Sequence, residues 1–419
     1  MKKFKIKLAL LAALILRLVI APLGRHSDCD NTFHWAKYLW DKKDFFEFLG
    51  KAVPDAMPAF YPPIFYYLIF LWRGIYEFIG RVLWWINLKI PIFPSNLIFW
   101  YQSYQGGVAF NKLLAIFADF VCAFLIYKIS LLIGCRKKLA SVAMLLFLLL
   151  PPFWYNSAHW GQDESLYCLF LLLAFFFVFK DRYLWAILTF VCSLLVKQSG
   201  LAVLPVFFVF VIRKKKIVDI LLAGFFSAVL MWILYFPFHP LNTLFWATEF
   251  YFRSLRGEIN YLVCNAFNFW ALIFGFEQRS ANLIYLGQSL TVWSFIILGV
   301  FLIAILFRLW QKPTRKRLIW AALLSSFAAF LFLTKMHERY LYTSLIFLAI
   351  LAGLNKKMIY YFVLLSLIHQ INLYHFWWSP KIYFLIMLFS NLAVIRIIIF
   401  LNILIFAKLF VNYFKDEIT

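Results

Sequence analysis

Long apolar stretches, separated by short polar ones, occupy most of the chain. Residues 8–23 carry a single charge, Arg17, and residues 287–307 carry none. A helix needs about 20 apolar residues to cross the hydrocarbon core of a bilayer, so stretches of this length predict transmembrane helices. The short segments of alternating polarity that are typical of outer-membrane barrels do not occur in the sequence. The pattern therefore predicts an all-α, polytopic membrane protein.

Basic residues gather at the ends of these stretches. The clusters occupy residues 2–7, 136–138, 180–182, 213–216, 308–317 and 356–357. Because cytoplasmic loops carry an excess of Lys and Arg, we expect these clusters to lie inside and the polar stretches between them to lie outside. Helix length then predicts roughly 11 to 13 crossings. The stretch 81–112, which contains Pro91 and Pro94, either supplies one further crossing or lies along the interface.

No internal repeat, Gly/Ser linker or low-complexity tract divides the sequence, so residues 1–419 are predicted to form a single membrane-embedded domain. Its first external loop is predicted at residues 25–61, and a larger one at residues 238–286. In the first loop several aromatic residues, among them Phe33 and Trp35, alternate with charged ones at helical spacing. We expect this segment to be amphipathic and to lie on the outer interface.

Composition supports the membrane interpretation. Of the residues, 65% are hydrophobic and 14% are charged, whereas soluble domains are about half apolar and about a quarter charged. The formal net charge of +23 would suit nucleic acid, but the basic residues punctuate apolar stretches and so indicate topology instead. We therefore expect membrane lipids, and no nucleic acid, as partners. Among six cysteines, Cys29 and Cys264 are predicted to face outside, where a disulfide between them is an open alternative.

Acidic residues are scarce, so those in predicted external segments are informative. Asp28 and Asp30 follow the first apolar stretch. In one interpretation they only solvate a loop, since ionisable residues at a membrane boundary are weakly diagnostic. In the other, one of them is a general base that takes a proton from an acceptor hydroxyl, or the two together hold a metal ion.

The polar stretch at residues 156–165 lies between two apolar ones. It contains Trp160, Gln162, Asp163 and Glu164 within five positions. Polar clusters at membrane depth usually line a cavity or a pathway, which favours a functional site. The simpler alternative is a solvated turn in which Trp160 is an interfacial anchor.

Two further positions place positive charge within apolar sequence. Lys197 interrupts the apolar stretch 187–212, and it either extends toward the interface or meets an anion such as a phosphate. His337, Glu338 and Arg339 separate two other apolar stretches. Positive groups beside one acid suit a phosphodiester. A plain external loop of this composition would run against the positive-inside bias, so we favour a functional role.

Several short stretches match, in order, the motifs of one enzyme superfamily. They are Asp28 with Phe33 and Trp35-Ala36, then Tyr61-Pro62-Pro63, Asn156-Ser157-Ala158-His159-Trp160-Gly161-Gln162-Asp163-Glu164-Ser165, Lys197-Gln198, Asn265-Ala266-Phe267-Asn268-Phe269-Trp270 and His337-Glu338-Arg339. Through them the chain resembles the GT-C superfamily of integral membrane glycosyltransferases. It is similar to prokaryotic mannosyltransferase-like proteins related to the second GPI mannosyltransferase. It is more distantly similar to dolichol-linked glucosyltransferases and protein O-mannosyltransferases.

The resemblance implies a GT-C-like helical bundle whose external loops carry the site. It also implies an inverting transfer of a hexose, with mannose favoured, from a polyprenyl-phosphate-linked donor to a glycan or glycolipid acceptor. Asp28, or Asp30 beside it, would be the catalytic base, and His337, Arg339 and Lys197 would bind the donor phosphate. The residues expected to contact substrate are Trp160, Gln162, Asp163, Glu164, Asn265, Asn268 and Glu338.

The sequence departs from the family pattern in two places. The acid expected after Gln162 corresponds to Glu164, with Asp163 as an additional acid beside it, and the proline of a Lys-Pro-Gln motif is missing after Lys197. The resemblance implies no definite cofactor and leaves a divalent metal ion open. It places the chain in the membrane as a multi-pass protein, which in a prokaryote would be the cell membrane.

A different class of function fits the same helices. A carrier or flippase for a lipid-linked or anionic substrate would also contain charged groups within its membrane segments. Such transporters often have two matching halves, which the sequence does not show, and the acids here cluster toward one external face. A non-catalytic scaffold would explain the helices but not the ordered motifs. The enzyme is therefore the favoured prediction.

Overall fold

The computed structural model describes residues 3–214, 216–256 and 260–415. About 76% of the chain is helical, which confirms the helical prediction. The strands found in these ranges are β1 (Ile284–Tyr285) and β2 (Gln288–Ser289), which form one antiparallel pair. Some of the predicted features extend beyond the described residues, namely positions 1–2 and 416–419 of the domain, position 215 of a basic cluster and positions 257–259 of the larger external loop.

The α-helices of the described ranges are numbered in chain order. They are α1 (Lys3–Ile20), α2 (Ser27–Lys42), α3 (Pro63–Lys89), α4 (Ser95–Gln102), α5 (Tyr104–Leu132), α6 (Lys137–Leu149), α7 (Pro151–Trp154), α8 (Glu164–Phe179), α9 (Tyr183–Val196), α10 (Leu204–Arg213), α11 (Ile217–Tyr235), α12 (Thr243–Arg256), α13 (Phe269–Phe274), α14 (Leu290–Gln311), α15 (Arg315–Phe332), α16 (Tyr342–Ala352), α17 (Lys356–Trp377), α18 (Tyr383–Phe389) and α19 (Leu392–Phe414). Three shorter turns extend them, a π-helix at Tyr155–Trp160 and 3-10 helices at Gln198–Val203 and Glu338–Leu341.

Several helices are long and apolar enough to cross a membrane. Within the described ranges four meet both conditions alone, namely α5, α11, α14 and α19. A fifth span is possible if α6 continues into the segment Pro151–Trp160, from which it is bent by 49°. The structure therefore supports a helical membrane protein with several spans. The larger number of 11 to 13 crossings stays a prediction, because many of the remaining apolar helices are shorter.

The centre of the bundle is formed by helices that are apolar on every side. All residues of α16 are buried, as is α15 from Arg317 to Phe332. A helix without a polar face has to be surrounded by other helices or by lipid. Here α15, α17 and α6 pack around α16, and α5 packs against α8. These contacts place a short helix, α16, in the protein core and not in contact with lipid.

The outer helices expose apolar side chains instead. In α11, only 6% of the residues in the apolar stretch are buried, and Phe225 on this helix is 64% exposed. On α14, Ile303 is 71% exposed. Exposed apolar surface of this extent indicates contact with lipid, because a water-exposed surface of the same kind would promote association.

Four breaks between helices lie next to one another and form the site. The turn between α1 and α2, the π-helix before α8, the junction of α9 with its 3-10 helix, and the 3-10 helix before α16 all contribute residues. α2 itself is amphipathic, as predicted, and buries Phe33, Trp35 and Leu39. Trp35 packs edge-on against Tyr66 at the start of α3 and donates a hydrogen bond to Met57 O at 2.8 Å. These contacts hold the middle of α2 against α3 and the loop that precedes α3.

Candidate functional site

Asp28 lies in the first turn of α2. His26 is the N-cap residue, and its Nδ1 accepts a hydrogen bond from the amide of Asp28 at 3.1 Å. A carboxylate at this position is stabilised by the unpaired amides and by the positive end of the helix dipole. The side chain of Asp28 is 30% exposed, so one side remains accessible while the other contacts the bundle.

Two residues of the 156–165 stretch hold Asp28 from the opposite side. Trp160, the last residue of the π-helix, donates from Nε1 to Asp28 Oδ2 at 3.2 Å. Gln162 donates from Nε2 to the same oxygen. Between them Gly161 has a φ of 89°, which glycine adopts without strain. The turn therefore aims two donors at one carboxylate oxygen.

Arg339 connects Asp28 to the rest of the site. It belongs to the 3-10 helix that precedes α16. Its Nη1 lies 2.9 Å from Glu338 Oε1 and 4.0 Å from Asp28 Oδ2, and its Nε lies 3.5 Å from Glu164 Oε1. One guanidinium thus contacts three carboxylates, which come from segments that are far apart in the sequence.

Lys197 lies on the other side of Glu164. The kink between α9 and the 3-10 helix lets its side chain enter the bundle, where Nζ lies 2.6 Å from Glu164 Oε1. The same ammonium lies 5.3 Å from the ring centroid of Tyr61, a residue of the Tyr-Pro-Pro stretch. Lys197 is buried and does not extend toward the interface. Of the two alternatives that the sequence left open, the structure therefore favours contact with an anion, and that anion is Glu164.

Burial and charge together set the protonation of the site. Burial raises the pKa of Asp28, but His26 and the positive charge of Arg339 lower it by more, so that the pKa lies well below its ordinary value. Burial raises the pKa of Asp163 to about 7, although Lys197 opposes this in part. Burial and the charge of Arg339 lower the pKa of His337 to about 3. At neutral pH, Asp28 is therefore ionised, Asp163 is half protonated and His337 is neutral.

Several polar atoms of the site are buried without a hydrogen-bond partner among the described residues. They are Glu164 Oε2, Glu338 Oε2 and Arg339 Nε. An unpaired buried polar group costs about 1–3 kcal/mol, and a charged one costs more. Burial also raises the pKa of Glu338, although Arg339 lowers it in part. Hydroxyl groups of a sugar would supply donors to the two carboxylate oxygens.

Asp30 does not join this cluster. Successive helical residues are about 100° apart, so Asp30 projects roughly opposite to Asp28 on α2. Both of its carboxylate oxygens pair with Arg25 Nε, at 3.1 and 3.2 Å. The proposed Asp28–Asp30 metal pair is therefore not assembled in this structure. Across residues 3–214, 216–256 and 260–415, no three His, Cys, Asp or Glu side chains are placed to hold a metal ion.

Asn265 and Asn268, which were predicted to contact substrate, form hydrogen bonds with the backbone. Asn268 caps α13, because its Oδ1 accepts a hydrogen bond from the amide of Ala271 at 3.0 Å. Asn265 pairs with His337 through an isolated backbone bridge, and its carbonyl accepts a hydrogen bond from Asn372. Asn265 therefore supports the segment that carries Arg339, and Asn268 donates from Nδ2 to Leu333 O, at the end of α15, at 3.4 Å. Neither side chain forms a hydrogen bond with Asp28 among those that the structure shows.

The structure also bears on the open alternative of a disulfide between Cys29 and Cys264. All six cysteines fall within its described ranges and all have free thiols. Cys29, in the first turn of α2, packs with Val108 of α5, whereas Cys264 lies beside His337. The two thiols therefore belong to different parts of the site region, and the open alternative of a disulfide between them is not observed.

A second buried ion pair was missed from the sequence. Arg17 Nε lies 3.0 Å from Asp119 Oδ2, and both side chains are fully buried between α1 and α5. The hydroxyl of Ser157 donates to the same oxygen at 2.6 Å, and the hydroxyl of Tyr342 donates to Oδ1 at 3.2 Å. The sequence feature that could have predicted the pair is the single charge within each apolar stretch, since charges inside membrane segments almost always have a partner.

No protein-family model matches the chain, and no curated protein is found to be similar to it. The GT-C resemblance therefore depends on the ordered motifs of the sequence alone. The assembled site offers an ionised carboxylate, two paired cations and several unpaired acceptors. That combination suits proton removal from a hydroxyl beside a phosphate group.

Proposed function

We propose that the protein is an inverting glycosyltransferase of the GT-C type. It transfers a hexose, with mannose favoured, from a polyprenyl-phosphate-linked donor to a hydroxyl of a lipid- or glycan-linked acceptor. The transfer takes place on the external side of the membrane. The observation that carries the proposal is the convergence of Trp160, Gln162 and Arg339 on one partly exposed carboxylate, that of Asp28.

In the proposed reaction, the acceptor oxygen forms a bond to the anomeric carbon of the donor sugar. The bond from that carbon to the phosphate oxygen breaks, and the polyprenyl phosphate leaves with the electron pair. Asp28 takes the proton of the acceptor hydroxyl as general base. Its pKa lies below the ordinary value, so the carboxylate is ionised at physiological pH, while His26 and Arg339 keep its basicity low.

The leaving phosphate needs positive charge, which Arg339 and Lys197 can supply. Arg339 Nη1 lies 4.0 Å from Asp28 Oδ2, and Lys197 is linked to Arg339 through Glu164. In the structure both are already paired with carboxylates. A donor phosphate therefore competes with Glu164 and Glu338 for them. A phosphate that contacts Arg339 also weakens the attraction between Arg339 and Asp28. The pKa of Asp28 then rises, and the carboxylate becomes a stronger base when the donor is bound.

The proposal includes a topology in which the site faces outside and the basic clusters face inside. It has about twelve crossings, of which the shorter ones, such as α16, are surrounded by other helices and do not face lipid. They are α1, α5, α6 with the π-helix, α8, α9, the segment 198–213, α11, α14, α15, α16, α17 and α19.

In this topology α3 and α4 lie along the outer interface. α5 begins beside the end of α1, because Gln105 Nε2 donates a hydrogen bond to Pro22 O at 3.0 Å. α4 directly precedes α5 and has only 8 residues. Its length of about 12 Å, at 1.5 Å per residue, is too short to return across about 30 Å of hydrocarbon. Of the two alternatives for the stretch 81–112, this favours the interfacial one up to the start of α5.

A carrier or flippase is the second candidate, and one observation favours it. Two apolar segments are interrupted near the site, at Leu150 and at Lys197, and interrupted helices are frequent at the substrate sites of transporters. A carrier would release its lipid-linked substrate unchanged, whereas the transferase breaks the bond between sugar and phosphate. The fate of that bond therefore separates the two.

The decisive experiment is incubation of the purified protein in detergent with a panel of polyprenyl-phosphate sugars and candidate glycolipid acceptors. We expect mass spectrometry to detect free polyprenyl phosphate together with an acceptor that has gained one hexose. Recovery of intact donor from every combination, with donor crossing the bilayer in reconstituted vesicles, would favour the carrier instead.

A further inference from the structure

Lys112 is a buried residue of α5 near Asp28, and it is not part of the charge network around Arg339. The residue is 2% exposed. Its ammonium donates hydrogen bonds to three main-chain carbonyls, those of Ala21 at 3.0 Å, Gly24 at 2.6 Å and His159 at 2.9 Å. Ala21 and Gly24 belong to the turn that leads from α1 into α2, and His159 directly precedes Trp160. One side chain thus joins the two segments that meet at Asp28.

The two segments approach each other so closely that glycine is required on both. A Cβ at Gly24 would overlap the carbonyl oxygen of His159. A Cβ at Gly161 would lie 2.7 Å from Cys29 Cβ and 3.0 Å from Lys112 Cε. The stem of Lys112 therefore packs against Gly161, beside the contact of Gly161 with Cys29. No other described side chain donates to carbonyls of both segments.

We propose that Lys112 is a positioning residue, which holds Asp28 at hydrogen-bonding distance from Trp160 and Gln162 by joining their backbones. The ammonium is suited to this task because carbonyls at helix C-termini carry partial negative charge, and a lysine satisfies several of them at once. The catalytic part of this inference rests on the proposed function, whereas the structural part does not. The two parts therefore need separate measurements.

Removal of the ammonium would leave three buried carbonyls without this donor. The junction between the turn and the π-helix would then loosen locally, since no other described side chain donates to carbonyls on both sides of it. Displacement of a catalytic group by about 1 Å reduces turnover by about 100-fold. We therefore expect Lys112→Met to lower kcat by about that factor, with a much smaller change in KM.

Cys29 reports on the junction without any assay of sugar transfer. It is 1% exposed and contacts the position of Gly161. In the full-length protein treated with N-ethylmaleimide, we expect Lys112→Met to accelerate modification of Cys29 at least about ten-fold, as local opening exposes it. Cys264, which is buried on another segment, is the internal control and should not change. Mass spectrometry of peptides assigns each modified thiol.

The matched variant is Lys128→Met, which removes an exposed lysine from the same helix and should alter neither measurement. Lys112→Arg keeps the charge but changes its geometry, so it should give a smaller acceleration at Cys29. Unchanged Cys29 modification in folded Lys112→Met would overturn the inference, as would equal acceleration at Cys29 and Cys264. If Lys112→Met does not fold, unchanged Cys29 modification in Lys112→Gln has the same meaning, because its amide has only two donor hydrogens for the three carbonyls. Faster modification of Cys29 in Lys112→Met, together with no transferase activity in the unaltered protein, would contradict the proposed function and leave the structural role of Lys112 standing.

Discussion

Two networks of buried charges lie in the same bundle, and they differ in whether all their carboxylate oxygens have hydrogen-bond partners. In the inner network, both carboxylate oxygens of Asp119 have partners, namely Arg17, Ser157 and Tyr342. In the outer network around Arg339, the Oε2 atoms of Glu164 and Glu338 have no recorded hydrogen-bond partner. The inner network is fully buried, whereas the outer one reaches a carboxylate, Asp28, that is 30% exposed.

The difference separates a structural ion pair from a binding site. A buried carboxylate whose lone pairs are all occupied has nothing left to offer a ligand, and its removal acts mainly on stability. A carboxylate with an unpaired oxygen gains from a ligand that brings a donor. Both networks share the 156–165 stretch, since Ser157 bonds to Asp119 while Trp160 bonds to Asp28. The inner pair therefore anchors the segment that shapes the outer site.

The largest effect is expected from Asp28→Asn. Asparagine keeps the size and outline of the side chain but cannot take up the acceptor proton, and loss of a general base reduces rates by about 100-fold to 10,000-fold. Sugar transfer should therefore be abolished or nearly so, while binding of a polyprenyl-phosphate sugar persists. Turnover and donor binding are measured on the same purified variant.

The matched control is Asp30→Asn, two positions along the same helix. Asp30 pairs with Arg25 at the surface, where the side chain of Arg25 is 65% exposed, so its loss should change stability by no more than about 0.5 kcal/mol. Transfer should remain close to that of the unaltered protein. Normal turnover in Asp28→Asn, in Asp30→Asn and in the double variant would remove the general base from the mechanism.

Substitutions in the inner network should lower the stability of the protein and leave the chemistry of the site intact. Asp119→Leu leaves Arg17 as an uncompensated buried charge, which costs about 3–5 kcal/mol in soluble proteins. We expect a lower unfolding temperature in detergent and loss of activity only in proportion to the unfolded fraction. The double variant Arg17→Met with Asp119→Leu removes both charges and should recover most of the stability. If the single variant is stable but inactive, Asp119 belongs to the chemistry and the distinction between the two networks fails.

Arg339 tests how strongly the outer network depends on positive charge. Arg339→Ala should reduce turnover by an amount equal to about 2–4 kcal/mol, typical for loss of one contact to a charge that develops in the transition state. Arg339→Lys should recover only part, because lysine supplies a point charge in place of the planar fork of arginine. Steady-state rates of both variants provide the measurement. Near-normal turnover in Arg339→Ala would assign the His-Glu-Arg segment a structural role only.

The sequence predicted the helical class and the membrane setting because apolar stretches of this length are rare outside membrane proteins. The ordered motifs also predicted which distant segments meet, and the structure brings Asp28, Trp160, Gln162, Glu164, Lys197 and Arg339 together. The sequence did not reveal how these charges pair. Glu164 occupies both cations, and His337 is neutral at pH 7, because pairing and burial depend on distances between segments and not on residue types.

Two other features were beyond reach for a related reason. Arg17 and Asp119 are 102 positions apart, and a single charge in an apolar stretch does not reveal which partner it meets. Lys112 bonds only to backbone carbonyls in the hydrogen bonds that the structure shows, and carbonyls leave no mark in the sequence. Asp30 illustrates the opposite case, since a carboxylate at a plausible position is turned away by the helical period of α2.

The smallest effect concerns pH, and it tests whether the outer network adjusts to an anion. The pKa of Asp163 is raised to about 7 by burial, so this carboxyl is mostly protonated at pH 6 and mostly ionised at pH 8. A phosphodiester keeps its negative charge across this range, and an ionised Asp163 repels it. Donor affinity should therefore fall as the pH rises through 7, by at most about ten-fold per pH unit for one linked proton.

Asp163→Asn should bind the donor with an affinity that is independent of pH between 6 and 8. Neither His337 nor Asp28 accounts for a change of donor affinity between pH 6 and 8. The pKa of His337 is about 3, and that of Asp28 lies below its ordinary value. Glu338 is the remaining candidate, since burial raises its pKa as well. Titration of a polyprenyl-phosphate sugar at several pH values, with Asp163→Asn and Glu338→Gln side by side, identifies the linked carboxyl. Donor affinity could instead depend on pH in Asp163→Asn as in the unaltered protein and be independent of pH in Glu338→Gln. The linked proton would then belong to Glu338 and not to Asp163.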